Sequence, residues 1–163
     1  GTVEAHFTNT YEPYLSVTIT KKVVGDMGDT TKNFSFTATL DTTQIRQGSA
    51  YTTAGDGAAL TDTGFTLRSG GSVTLNHLRA DQTLTLTETD PGDHTVSWQL
   101  NGDDGPTGVT CTLQVPRAQP AEITCINTRN VGIPTGLHTG AAPYLALVGL
   151  CWLGWRLLRR REV

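Results

Sequence analysis

The chain has 163 residues, with 12 Lys and Arg against 15 Asp and Glu, a formal net charge of −3. That mild acidity argues against a nucleic-acid partner, because phosphate binding needs a basic surface. Three cysteines are too few to scaffold a fold with disulfides, while the length suffices for one domain of ordinary size plus extra segments.

Threonine and glycine are abundant, methionine occurs once, and no helix-periodic stretch appears before residue 141. The pattern predicts an all-β, exported protein. With neither an initiator methionine nor a signal peptide at its start, the chain reads as the C-terminal part of something longer.

In residues 1–14, Val3, Ala5, Phe7 and Asn9 alternate like the end of a strand, which Tyr11-Glu12-Pro13 breaks. Phe7-Thr8-Asn9-Thr10 resembles Cys125-Ile126-Asn127-Thr128 near the other end, so the segment is expected to be the last strand of an upstream copy of the same domain. An N-terminal edge strand of the present domain is the alternative.

The first full strand runs over 15–24. Lys21 shares the parity of Val17, Ile19 and Val23 and should face inward, whereas Lys22 faces out. Residues 25–29 make a turn; its two aspartates lack the ligand-rich loop that calcium needs. Phe34, Phe36, Ala38 and Leu40 alternate through a second strand. Residues 41–62 are weakly patterned and predict an excursion with at most short structure. Phe65-Thr66-Leu67 and Val73-Thr74-Leu75 flank Ser69-Gly70-Gly71, which predicts a hairpin.

In the next strand Leu84 and Leu86 share a face and Glu88 keeps their parity, before Asp90-Pro91-Gly92 ends it with turn residues. An inward carboxylate is costly unless it is paired or protonated. Val96, Trp98 and Leu100 alternate up to Asn101-Gly102, a strong turn dipeptide. Val109, Cys111, Leu113 and Val115 form the penultimate strand, expected to turn back into Ile123–Asn127, where Asn127 shares the parity of Ile123 and Cys125. Lys21, Glu88 and Asn127, each inward on a separate strand, therefore make a constellation.

Short strands at this spacing predict a β-sandwich. The hairpin arithmetic sets Cys111 roughly opposite Cys125 on the inward face, either as a disulfide or as two buried thiols. No metal site is expected, since neither Cys-x-x-Cys nor paired histidines occur. His6, His77, His94 and His138 are scattered, and no catalytic Ser/His/Asp set or phosphate loop appears. Residues 141–155 are almost wholly apolar, followed by Arg156, Leu157, Leu158 and Arg159-Arg160-Arg161. That predicts a membrane-spanning helix over 141–158 with the C-terminus inside, provided Arg156 snorkels.

The segments Lys21-Lys22-Val23-Val24-Gly25, Leu86-Thr87-Glu88-Thr89-Asp90-Pro91-Gly92 and Ile126-Asn127-Thr128 carry a family likeness. Residues 15–129 resemble the CnaB-like isopeptide-forming domains of Gram-positive surface proteins and pilins, whose fold is an immunoglobulin-like β-sandwich. The resemblance implies a bond from Lys21 on the first strand to Asn127 on the last, assisted by the buried acid Glu88. It also makes Asn9 the corresponding asparagine of an upstream domain. The alternative is a buried Lys21–Glu88 salt bridge with Asn127 hydrogen-bonded beside it. The tail resembles a sortase sorting signal, although Ile133-Pro134-Thr135-Gly136 lacks the spacer residue of the usual Leu-Pro-x-Thr-Gly pattern.

The domain organisation expected is therefore 1–14 as upstream domain end and linker, 15–130 as sandwich, 131–140 as linker with the sorting-type motif, 141–158 as transmembrane helix and 159–163 as a basic cytoplasmic tail. The function this implies is a cell-surface stalk domain of an adhesin or pilin-like protein, without cofactor and without enzymatic turnover. Its partners would be sortase, peptidoglycan and the membrane, with a host ligand reached through upstream domains. A ligand-binding adhesin module that grips a host protein or glycan with residues 41–62, without a crosslink, is the rival. Against it, that stretch holds a single aromatic residue, Tyr51. A secreted hydrolase, the second rival, would need an open cleft with titratable residues.

Overall fold

Strands that alternate Leu, Val, Ile or Phe with Thr or Ser have one apolar and one hydroxyl-bearing face, and two such sheets bury their apolar faces against each other. The computed structural model takes that form, and describes residues 1–4, 6, 8, 13–49, 52–117 and 121–132. The strands are β1 Leu15–Val24, β2 Phe34–Leu40, β3 Thr43–Ile45, β4 Thr52–Ala54, β5 Ala58–Thr61, β6 Gly64–Leu67, β7 Ser72–Leu78, β8 Thr83–Glu88, β9 Thr95–Leu100, β10 Asp103–Thr107, β11 Thr110–Gln114 and β12 Ala121–Thr128. One sheet has the order β10-β9-β12-β1-β7-β4; the other runs β11-β8-β2-β6-β5, with β3 also paired to β2. Val17, Ile19, Val73, Leu75, Trp98 and Ile123 of the first sheet are buried with Phe34, Phe36, Phe65, Leu67, Leu84 and Leu86 of the second in a single core.

The first and last strands are neighbours and run parallel, in unbroken register from Val17 opposite Ala121 to Val24 opposite Thr128. Their far ends are pinned by backbone bonds, Arg129 N–H to Val24 O at 3.1 Å and Met27 N–H to Arg129 O at 3.0 Å. Gly25 makes this approach feasible. Its φ is +95°, and a Cβ there would lie 2.3 Å from Arg129 O.

The Asn101-Gly102 turn is a tight antiparallel hairpin between β9 and β10, with φ of 52° and 89° at the two turn residues as a type I′ turn requires. Among the described residues of the 41–62 excursion the strands are short, and they lie on β2, at one edge of the first sheet and at one edge of the second.

Two expected hairpins are instead crossings between sheets. β6 pairs with β2 and β5, while β7 pairs with β1 and β4. Gly71 N–H closes a turn onto Arg68 O at 2.8 Å, but the turn leads to β1 rather than into a hairpin: Gly70 N–H donates to Lys21 O at 2.8 Å and Lys21 N–H to Gly71 O at 3.0 Å. Likewise β11 pairs with β8, and β12 with β9 and β1. In a sandwich an inward face on either sheet gives the same alternation, so parity does not separate a hairpin from a crossing.

Among the described residues before Leu15 none lies in a strand, and Val3 is fully open to solvent. Asn9, the motif at 133–136 and the apolar run at 141–158 lie outside the described residues. Among the described residues no helix is long and apolar enough to cross a membrane.

Candidate crosslinking site

β1 presents Val17, Ile19, Lys21 and Val23 to the core in strict alternation, with Lys22 exposed. β12 does the same with Ala121, Ile123, Cys125 and Asn127. The parallel register sets Lys21 opposite Cys125 and Val23 opposite Asn127, so Asn127 is the diagonal same-face neighbour of Lys21. Glu88 comes from the other sheet, at the end of β8 and opposite Phe36 of β2. Its backbone N–H is held by Val109 O at 2.9 Å. The three residues predicted from parity are thus brought together across the two sheets, and they are the buried polar and charged residues of the described core.

The contacts are close. Lys21 Nζ donates to Glu88 Oε2 at 3.2 Å and Oε1 at 3.3 Å, and Asn127 Nδ2 donates to Glu88 Oε1 at 2.7 Å. The side chains of Lys21 and Glu88 are both 0% exposed. The Phe34 and Phe36 rings wall the amine, with centroids 4.5 and 5.4 Å from Nζ, and offer it the faces of their π-systems. A charge pair so placed gains little net stability, since desolvation offsets its Coulombic attraction. Such a pair in the middle of an apolar core suggests a chemical use.

Parity places Cys125 inward as well, but alternation alone does not show which side chains it meets. Its sulfur lies 3.2 Å from Lys21 Nζ, 3.4 Å from Glu88 Oε2 and 3.8 Å from Asn127 Oδ1. Burial pushes this thiol up to about 12, the neighbouring Lys21 working against the shift and Glu88 with it. The signal for it was the two-residue spacing Cys125-x-Asn127 on one strand face. Cys111 is elsewhere, opposite Leu86 on β11 in the other sheet. Both cysteines are free and buried, so the expected cross-strand opposition of Cys111 and Cys125 is corrected. Burial raises the Cys111 thiol as well.

Among the described residues no group of His, Cys, Asp and Glu could hold a metal ion. A separate open cavity of about 370 Å³, lined by Leu40, Thr43, Gln44, Ile45, Leu75 and Leu78 among others, shares no residue with this site.

The two-sheet fold is one shared with pilins and pilus adhesins. A pilin of Streptococcus pyogenes serotype M1 is 27% identical over 150 residues, 81% of this chain and 44% of the pilin. The major pilin of Streptococcus pyogenes serotype GAS13637 superposes with a TM-score of 0.51 at 23% identity, covering 71% of this chain and 45% of that one. An adhesin of Mobiluncus mulieris, described as containing intramolecular disulfide, isopeptide and ester bond cross-links, gives a TM-score of 0.51 at 16% identity over 71% of this chain and 41% of its own. The chain belongs to the family described as domain of unknown function DUF7601, whose model matches residues 15–129. It spans less than half the length of the curated pilin it matches.

Proposed function

We propose that residues 15–130 form a force-carrying stalk domain of a surface adhesin or pilus protein, closed by a self-made isopeptide bond between Lys21 and Asn127. The observation that carries this reading is the contact of an amine, a carboxyl group and a carboxamide in a core where Lys21 and Glu88 have no solvent exposure. The ion pair becomes reactive when one proton passes from Nζ to Glu88 Oε1 across 3.3 Å, leaving an amine and a carboxylic acid. The acid form then donates to Asn127 Oδ1, once the amide has turned over, and polarises the carbonyl. Nζ attacks Cγ and its C–N bond forms. The bond from Cγ to Nδ2 breaks, and ammonia leaves with a proton relayed by Glu88. Amine plus primary amide gives secondary amide plus ammonia, and no cofactor is consumed. The folded core supplies the proximity that drives the step.

The bond would join the first strand to the last, which already lie side by side. Tension entering near Leu15 and leaving near Asn130 would pass through the bond and bypass the strands between. Intact mass tests the reading: the folded protein should be lighter by one ammonia. A full mass in well-folded protein overturns it and leaves a buried salt bridge.

Anchoring is the second half of the proposal and rests on sequence. Thr135 in Ile133-Pro134-Thr135-Gly136 would be the residue joined to peptidoglycan by sortase, with the apolar run 141–158 and Arg159-Arg160-Arg161 holding the precursor in the membrane. Residues 1–14 would link to an upstream domain whose own bond uses Asn9. Wall fractions should then contain chain ending at Thr135; only full-length chain in the membrane refutes sorting.

A further inference from the structure

We propose that Cys125 is a positioning residue for the Lys21 nucleophile: its sulfur takes one N–H of the amine and so turns the lone pair towards the Asn127 carboxamide. This inference rests on the isopeptide reading above. It follows from counting donors and acceptors around Nζ. The ammonium form has three N–H donors, and three acceptors stand within hydrogen-bond distance: Glu88 Oε1 at 3.3 Å, Glu88 Oε2 at 3.2 Å and Cys125 Sγ at 3.2 Å.

After one proton passes to Glu88, the amine keeps two N–H groups and gains one lone pair. Glu88, now an acid, uses its hydroxyl on Asn127 and keeps one oxygen as an acceptor for Nζ. That oxygen and the Cys125 sulfur together hold both N–H groups. The direction left over belongs to the lone pair. That direction points towards Glu88 Oε1, the oxygen that took the proton, and Asn127 stands beside it, its carboxamide nitrogen 2.7 Å from Oε1. Without the sulfur only one N–H is fixed, and the amine turns about its Cε–Nζ bond. A larger share of the trapped geometry is then unproductive.

The thiol suits this role because it stays a thiol. A thiolate beside Lys21 would pin the ammonium and keep the nucleophile protonated, whereas the buried thiol accepts an N–H weakly and donates its own proton to Glu88 Oε2 at 3.4 Å. It does so without leaving the proton balance of the reaction altered, since its S–H is unchanged from start to finish.

The test is the time course of ammonia loss, followed by intact mass, in freshly synthesised full-length protein carrying Cys125→Ala, Cys125→Val or Cys125→Ser. Valine refills the space without an acceptor, and serine restores an acceptor with a shorter reach. Alanine and valine should slow the reaction by about tenfold or more, and serine should recover part of the loss. Cys111→Ser, a buried thiol on the other sheet, should react at the wild-type rate. Folding is checked separately by placing each change in an Asn127→Ala background and recording its melting curve, so that loss of the bond does not confound stability. If wild type never loses ammonia, the isopeptide reading fails. If wild type loses it and the valine variant keeps pace, the bond stands and the role of Cys125 is overturned. Valine slowed no more than its melting curve is weakened, with serine giving no recovery, assigns Cys125 to packing alone and equally overturns the role.

Discussion

Glu88→Ala separates the proposed bond from the ion pair that would precede it. In the folded chain Glu88 provides two of the three acceptors of a lysine that is 0% exposed, and it accepts the Asn127 amide at 2.7 Å. Removing it would take away the acid proposed to polarise the amide, so the mass should return to that of the unmodified chain. Two stability losses then add. The proposed bond would close a loop of about 100 residues, and its absence would cost about 4–5 kcal/mol by the chain-entropy argument used for disulfides. The orphaned Lys21 ammonium, left with Cys125 and two aromatic faces, costs about 3–5 kcal/mol more. Asn127→Ala isolates the first term, because it prevents the bond while keeping the Lys21–Glu88 contact. Denaturant unfolding of the three proteins should therefore rank wild type above Asn127→Ala above Glu88→Ala, with the last two separated by about 3 kcal/mol or more. Equal stability of the two variants, or ammonia loss in Glu88→Ala, would refute the reasoning.

Cys111 and Cys125 are free and lie in different sheets, so reductant should leave the melting temperature unchanged, and a drop would reveal a disulfide. The Cys125 thiol, pushed up to about 12 from an ordinary value of 9.0, keeps its proton when folded while the unfolded chain releases it. Its contribution is thus complete below about pH 9 and is lost as pH rises towards 12. By pH 10 wild type should lose about 1.4 kcal/mol relative to Cys125→Ser, which has nothing to titrate; a constant gap between pH 8 and 10 would show ordinary ionisation. Gly25→Ala places a Cβ 2.3 Å from Arg129 O at a φ of +95°, and unfolding curves should record a loss of about 1–3 kcal/mol; an unchanged midpoint would mean the terminal strands part there freely.

Parity carried much of this structure because a sandwich strand has a buried face and a wet one. Lys21 and Lys22 are adjacent, yet the first is buried and the second exposed, as alternation with Ile19 and Val23 required. The same test placed Glu88 and Asn127, and local turn chemistry placed Asn101-Gly102. What alternation lacks is the identity of the neighbouring strand. The stretch around Gly70-Gly71 looks like a hairpin because turn residues lie between two apolar-patterned runs, but Gly70 N–H and Gly71 O both bond to Lys21 on β1. The same blindness put Cys111 against Cys125, and it hid the sulfur's contact with Lys21, which depends on β1 and β12 being parallel neighbours.

The outermost strands of the two sheets have a consequence for crowding. β4 has three residues, β5 four, and β10 and β11 five each, with Pro106 within β10 and Asp103-Asp104 at its start. Short, charged or proline-bearing edges offer a second chain little ladder to extend. Many copies displayed side by side would therefore slide past one another rather than zip into a common sheet. Their association would be left to whatever the ends of each chain are joined to.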